Sequence, residues 1–304
     1  MDIYEQSAPS IGKRYPLTSP ERLTYWLTKN WIKAFAIAMG LYVGLPFLAP
    51  LFMHLGWTGL ANVMYTFYSF QCHQLPQRSF FLFGPKTMYS LNEIQSAWQD
   101  TTNPMVLRQF IGSPEMGWKV AWSDRMVYMY TSTLIFGLIW WLLRHRLKKI
   151  PWWGLALFLL PMFIDGSTHF ISDLAGLGQG FRHTNLWLAT LTSNAFPATF
   201  YAGNALGSFN SWMRLITGLF FGIGVVWFGF PYLDEWFDDT FRITQAKARN
   251  EVSRTSGQDL HQTDRLQPHG GGHVSCLSRM AALRSGDFPS VRRALAKMPR
   301  ILTI

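Results

Sequence analysis

Residues 31–53 read WIKAFAIAMGLYVGLPFLAPLFM, a run of 23 residues whose one charged side chain is Lys33, near its start. At about 1.5 Å per helical residue this run covers the roughly 30 Å of hydrocarbon in a bilayer. It predicts a membrane-spanning helix, and the rest of the chain is organised around it. Of 304 residues, 49% are hydrophobic and 14% charged, against about 25% charged in an average soluble domain.

Three further spans are expected. Residues 126–143 end with Trp140 and Trp141 beside the basic knot RHRLKK at 144–149, and residues 151–171 open with Trp152 and Trp153 on its other side. Tryptophan and cations at helix ends mark the two membrane interfaces, so a tight hairpin turns at the knot. Residues 212–232 supply the fourth span. The apolar patch within 58–71 is short and tyrosine-rich, which suits an interfacial or re-entrant helix. The fold class expected is therefore an all-α integral membrane protein, with about four transmembrane helices. External loops cover 72–125 and 174–211, an N-terminal segment covers 1–30, and a basic, disordered tail covers 237–304. Charges and prolines fill the first 30 residues where a signal peptide needs an apolar core, so the first apolar block reads as a retained helix.

Charge fixes the expected orientation. The formal net charge is +10, and five of those excess charges lie in 237–304, where eleven basic residues face six acidic ones. The tail, the RHRLKK knot and Lys13, Arg14, Arg22, Lys29 and Lys33 all favour the cytoplasmic side. Both termini are then cytoplasmic in a multi-pass protein of the cell membrane, and an even number of crossings follows. No basic module interleaved with aromatics points to nucleic acid. The expected partners are the lipid bilayer and other membrane proteins. Two cysteines, Cys72 and Cys276, make no disulfide framework.

This topology brings two polar stretches to one membrane side, whichever way residues 60–70 run. The first is FQCHQLPQRSFFLF at 70–83, and the second is DGSTH at 165–169. Asp165, His169 and Asp173 recur every four residues, which on a helix is one face. Two readings stay open. The stripe with His73 and Cys72 can ligate zinc, manganese or iron, giving a divalent metal as the cofactor. Alternatively its acids pair with Arg78, Arg125 or Arg182, and Asp165 with Arg78 is the pairing named here. Cys72 beside His73 is also a nucleophile candidate, although adjacent side chains on a helix diverge. Trp118, Lys119 and Trp122 to Arg125 read as an aromatic belt with snorkelling cations, from which Asp124 and Arg125 can join the polar cluster. In the tail, His269, His273 and Cys276 form a weak metal candidate.

Three motifs together resemble a known family. CHQLPQRSFFLFG at 72–84, PMFIDGSTH at 161–169 and SFNSWMRLITGLFFG at 208–222 are similar, in order and spacing, to the domain of unknown function 2085 family of bacterial and archaeal integral membrane proteins. The resemblance covers roughly residues 60–232. It implies family-like positions at Cys72, His73, Gln74, Arg78, Ser79, Asp165, Gly166, Asn210, Arg214, Thr217 and Gly218. Many members carry a Cys-x-x-Cys-like segment after the first motif, where this chain has a long insertion leading to WSDRM at 122–126. A metal here would therefore rest on histidine and carboxylate.

The functional expectation is a polar site at the non-cytoplasmic face, belonging to a metal-dependent enzyme acting on a lipid or lipid-linked substrate. Asp165, His169 and His73 would be its catalytic groups, with Arg78, Arg214, Gln74 and Asn210 binding substrate or phosphate. A non-catalytic accessory or scaffold subunit is the alternative, and a transporter of protons or a small solute the third reading.

Overall fold

The computed structural model describes residues 19–265, and side chains up to Ala248. Among the described residues, four helices are long and apolar enough to cross a membrane: α2 (Trp31–His54), α6 (Asp124–Leu143), α7 (Trp152–Asp173) and Phe209–Ala248 within α11 (Phe209–Arg265). Their outer faces carry large apolar side chains in the open, with Ile37 61%, Leu142 72% and Phe163 71% exposed. Such surface is unfavourable in water and matched by lipid.

Ahead of α2 lies α1 (Ser19–Lys29), and behind it α3 (Thr58–Ser69). With 12 residues, α3 spans about 18 Å and is too short to cross. The region 72–125 contains α4 (Leu91–Ala97), α5 (Pro104–Leu107) and strands β1 (Ser79–Leu82), β2 (Gly112–Ser113) and β3 (Gly117–Ser123). The strands form an antiparallel sheet in the order β1-β3-β2, pairing Leu82 and Gly112 with Trp118. Gly117 makes the close approach possible: at its φ of +78° an added Cβ would meet the Leu82 carbonyl oxygen at 2.3 Å. Short helices α8 (Phe181–Thr184), α9 (Leu186–Leu191) and α10 (Ala198–Tyr201) fill the connection between α7 and α11.

The fold is the helical membrane bundle expected, with this small sheet added to it, and β3 changes the belt reading for Lys119 and Trp122. Trp122, Val120, Ala121 and Lys119 are all 0% exposed. Trp122 packs edge-on to Tyr42 of α2 and Tyr68 of α3, so the sheet is fastened to the bundle by aromatic contacts. Trp122 is therefore a core residue, whereas Trp118 is only partly buried.

Small residues let α11 close on its neighbours. Ser132 Oγ of α6 donates to the Gly218 carbonyl at 2.8 Å, and a Cβ on Gly222 would lie 2.8 Å from the Ser132 carbonyl carbon. Without hydrophobic drive between helices in lipid, such close backbone approach is what holds a bundle together. At the other end Trp31, Trp140, Phe230 and Phe237 form an aromatic cluster. There Trp31 Nε1 donates to Asp234, and Lys149 pairs with Glu235. RHRLKK thus lies at the end of the bundle opposite the start of α6 and the close of α7.

By its contacts the chain divides into a unit covering 1–249 and a second from 250, described here only as helix to Arg265. The proposed metal set His269, His273 and Cys276 lies outside the described residues.

Candidate functional site

The start of α6, the close of α7, the start of α11 and the turn before β1 converge on one buried cluster of charge. Pro76–Arg78 forms a single 3-10 turn, with Pro76 fixing its first residue, and presents Arg78. Both guanidinium ends of Arg78 donate to Asp173, each at 2.8 Å, in a bidentate pair. Two turns back along α7, Asp165 is 1% exposed in its side chain and accepts from Arg125 at 2.6 Å and from Arg182 of α8. Arg214 of α11 donates through Nε to Asp124 at 2.6 Å and through its other nitrogens to Asn204.

The two polar stretches therefore meet, and the spacing of Asp165, His169 and Asp173 does put them on one face. The pairing differs from the one named from sequence: Arg78 takes Asp173, and Asp165 takes Arg125 and Arg182. The cause is length along the helix, since Asp173 lies two turns, about 12 Å, from Asp165 and nearer the 3-10 turn that holds Arg78. Arg182 was named only as a pairing partner, because nothing in the Gly-rich connection around it marks a site. Lys119 was read as a snorkelling cation of the aromatic belt, yet it is buried and donates to the Gln74 and Arg108 carbonyls at 2.9 and 2.6 Å. Burial pulls its ammonium down to about 7.

Several candidates are engaged structurally. Gln74, held at a left-handed φ of 52°, donates its amide to the Tyr65 carbonyl. Asn210 donates to the Arg182 and Gly203 carbonyls at 2.6 and 2.7 Å, fastening the connection to α11. Cys72 sits in the aromatic core, its sulfur accepting from the Gln74 and Ser123 amides. Among the described residues, no three or more His, Cys, Asp or Glu side chains are grouped to hold a metal ion. Both oxygens of Asp165 and of Asp173 already accept from arginine, so these acids do not fit the role of metal ligands.

Each histidine accepts at one ring nitrogen and carries its proton on the other. An arginine N–H can only donate, so the 3.2 Å contact between Arg182 Nη2 and His169 Nε2 leaves a neutral His169 carrying its proton on Nδ1. His73 accepts the Leu75 amide at Nδ1, which puts its proton on Nε2. His73 is solvent-exposed. The protein packed around its ring, then the positive fields of Arg78, Arg214, Arg125 and Lys119, push its imidazole below the ordinary histidine value.

The cluster has more positive charge than it neutralises: Arg78, Arg125, Arg182 and Arg214 face Asp124, Asp165 and Asp173. Buried atoms without a partner include Arg78 Nε, Arg125 Nη1, Arg182 Nε and His169 Nδ1. All four are donors. Gln77 Oε1 beside them is an unpartnered acceptor, and its amide turned end for end presents a donor instead. Arg78, His169 and Arg182 line a small pocket of about 10 Å³, room for about one water molecule.

Fold and site define a polytopic helical membrane protein with a buried, donor-rich arginine cluster at one end of its bundle. The sequence comparisons agree with the membrane class. A family model described as "Predicted membrane protein (DUF2085)" matches residues 115–228, which hold all of the cluster except Arg78 and His73. An uncharacterized protein of Methanocaldococcus jannaschii is 32% identical over 144 residues, covering 45% of this chain and 68% of the relative. The chain belongs to the DUF2085 family of membrane proteins. No solved structure matches it.

Proposed function

We infer that this membrane protein binds the phosphate group of a lipid or lipid-linked substrate at its arginine cluster, on the non-cytoplasmic face of the cell membrane. One observation carries the reading: the unpartnered Arg78, Arg125, Arg182 and His169 atoms are buried donors, in a cluster whose arginines outnumber its acids. Leaving a buried donor unmade costs about 1–3 kcal/mol, more when it is charged, and an oxyanion repays that cost. Arginine's planar fork matches phosphate. The small pocket is too small for the phosphate itself, so the anion is received on the side of the larger groove that Arg182 also lines, where it can exchange with the Asp165 carboxylate. Placement on the non-cytoplasmic face is supported by RHRLKK, Lys29 and Lys33 at the opposite end of the bundle.

Thermal unfolding of the purified protein in detergent, with phosphate against chloride at constant ionic strength, tests this. Phosphate at about 100 times its dissociation constant raises stability by about 2.7 kcal/mol, and Arg125→Gln with Arg182→Gln removes the effect. Equal unfolding temperatures in the two salts refute it. That outcome favours an accessory subunit, in which the ion pairs only tie the loops onto the helices.

A further inference from the structure

Beside the cluster runs a second cavity of different chemistry. It has a volume of about 710 Å³ between α7 and α11, and its walls are mostly apolar: Leu157, Leu160, Ile164 and Met213, with Phe181 and Trp187 also lining it. That volume falls in the range of roughly 300–1,000 Å³ typical of small-molecule sites. Leu157, Leu160 and Ile164 are 62%, 47% and 53% exposed, so the cavity opens sideways toward the bilayer. Polar groups border it at one place, where Asp165, Thr168 and Arg182 meet. Arg182 belongs to both cavities: it lines the small polar pocket and the apolar groove, and its guanidinium lies 5.3 Å over the Phe209 ring on the groove side. The residue is 6% exposed, yet its Nε has no partner.

An apolar groove open to lipid and ending at a cation is complementary to an amphiphile with an anionic head. A helix from a second copy would cover the walls but bring no anion to Arg182. We propose that the groove between α7 and α11 holds a hydrocarbon chain of a membrane phospho-amphiphile, entered laterally from the bilayer, whose phosphate exchanges with Asp165 at Arg182. This rests on the phosphate-binding reading and adds to it the substrate class and the route of entry. Lipid tails outside the protein are already in hydrocarbon, so the groove gains no hydrophobic transfer energy. Selectivity comes from the head at Arg182, and the groove sets where the chain lies.

The test uses phosphatidic acid carrying a photoactivatable diazirine in one acyl chain, with the full-length protein in phosphatidylcholine nanodiscs. The expected result is labelling concentrated in 157–168 and 181–187, competed by unlabelled phosphatidic acid with roughly tenfold preference over phosphatidylcholine. Leu160→Trp with Ile164→Trp fills the groove from its lipid side. This variant is expected to lose the labelling and keep phosphate-dependent thermal stabilisation, which also shows that it folds. Labelling spread evenly over the lipid-facing helices, with phosphate stabilisation intact, overturns the groove and leaves the phosphate reading standing. A groove shielded from label and cross-linked to a second copy overturns it as well. Even labelling together with no phosphate stabilisation in the wild type overturns both.

Discussion

Asp165→Asn separates structural pairing from anion binding within one experiment. In the native cluster this carboxylate is 1% exposed and holds Arg125 at 2.6 Å together with Arg182. An amide of the same shape keeps the packing but strands two guanidinium groups in a poorly hydrated site. Removing one partner of a buried ion pair costs about 3–5 kcal/mol. At about 2–4 °C per kcal/mol for a domain of this size, the unfolding temperature should fall by roughly 6–20 °C. If the arginines are there to receive phosphate, the freed guanidinium groups should bind it more tightly than in the wild type. Phosphate near 100 times its dissociation constant would then return about 2.7 kcal/mol, half or more of the loss. Tryptophan fluorescence during heating in detergent, in phosphate and in chloride, reads both quantities. A variant as stable as the wild type refutes the buried-pair argument. A destabilised variant that phosphate rescues no better than chloride refutes the anion argument.

Other outcomes follow from separate parts of the molecule. Gly222→Leu would drive a side chain into Ser132, where even a Cβ falls 2.8 Å from the carbonyl carbon, so α6 and α11 should separate and the yield of folded protein collapse; normal yield contradicts this packing. Lys119 is held near 7 in the fold against about 10.4 unfolded, so between these values the unfolded chain binds a proton that the fold does not. Stability should therefore rise by about 2 kcal/mol from pH 7 to pH 9, and Lys119→Met should lose that rise; equal slopes would refute it. Arg78→Ala and Asp173→Ala should each destabilise, and the double variant should cost less than their sum by about 1–3 kcal/mol, because they form one bidentate pair; additive costs would argue against the pair. Cys72, 8% exposed in an aromatic core, should resist thiol reagents until the protein unfolds.

The four spans were legible because hydrocarbon demands long apolar runs, and such runs leave a local signature. The stripe of Asp165, His169 and Asp173 was legible for a similar reason, since helical spacing alone places side chains on one face. What could not be read is non-local. Strand β3 reads GWKVAWS, with tryptophan and lysine as at a membrane interface, and beyond its short local pairing with residues 112–113 it is held by residues 79–82, more than thirty positions away. The same distance hid Lys119, whose partners are backbone carbonyls that no side-chain pattern announces. Arg182 stands in a Gly-rich connection without periodicity, so its place at the centre of the cluster follows from the return of the chain onto α7. Arg78 was assigned to the wrong aspartate of the stripe because spacing gives a face but not a height along it.

Native mass spectrometry of the protein released from nanodiscs of mixed phosphatidic acid and phosphatidylcholine measures the central claim most directly. One phosphatidic acid retained per wild-type chain, and lost when Arg125 and Arg182 are both changed to glutamine, is the result expected. Equal retention of the two lipids, or retention indifferent to those arginines, would contradict a phosphate-binding cluster.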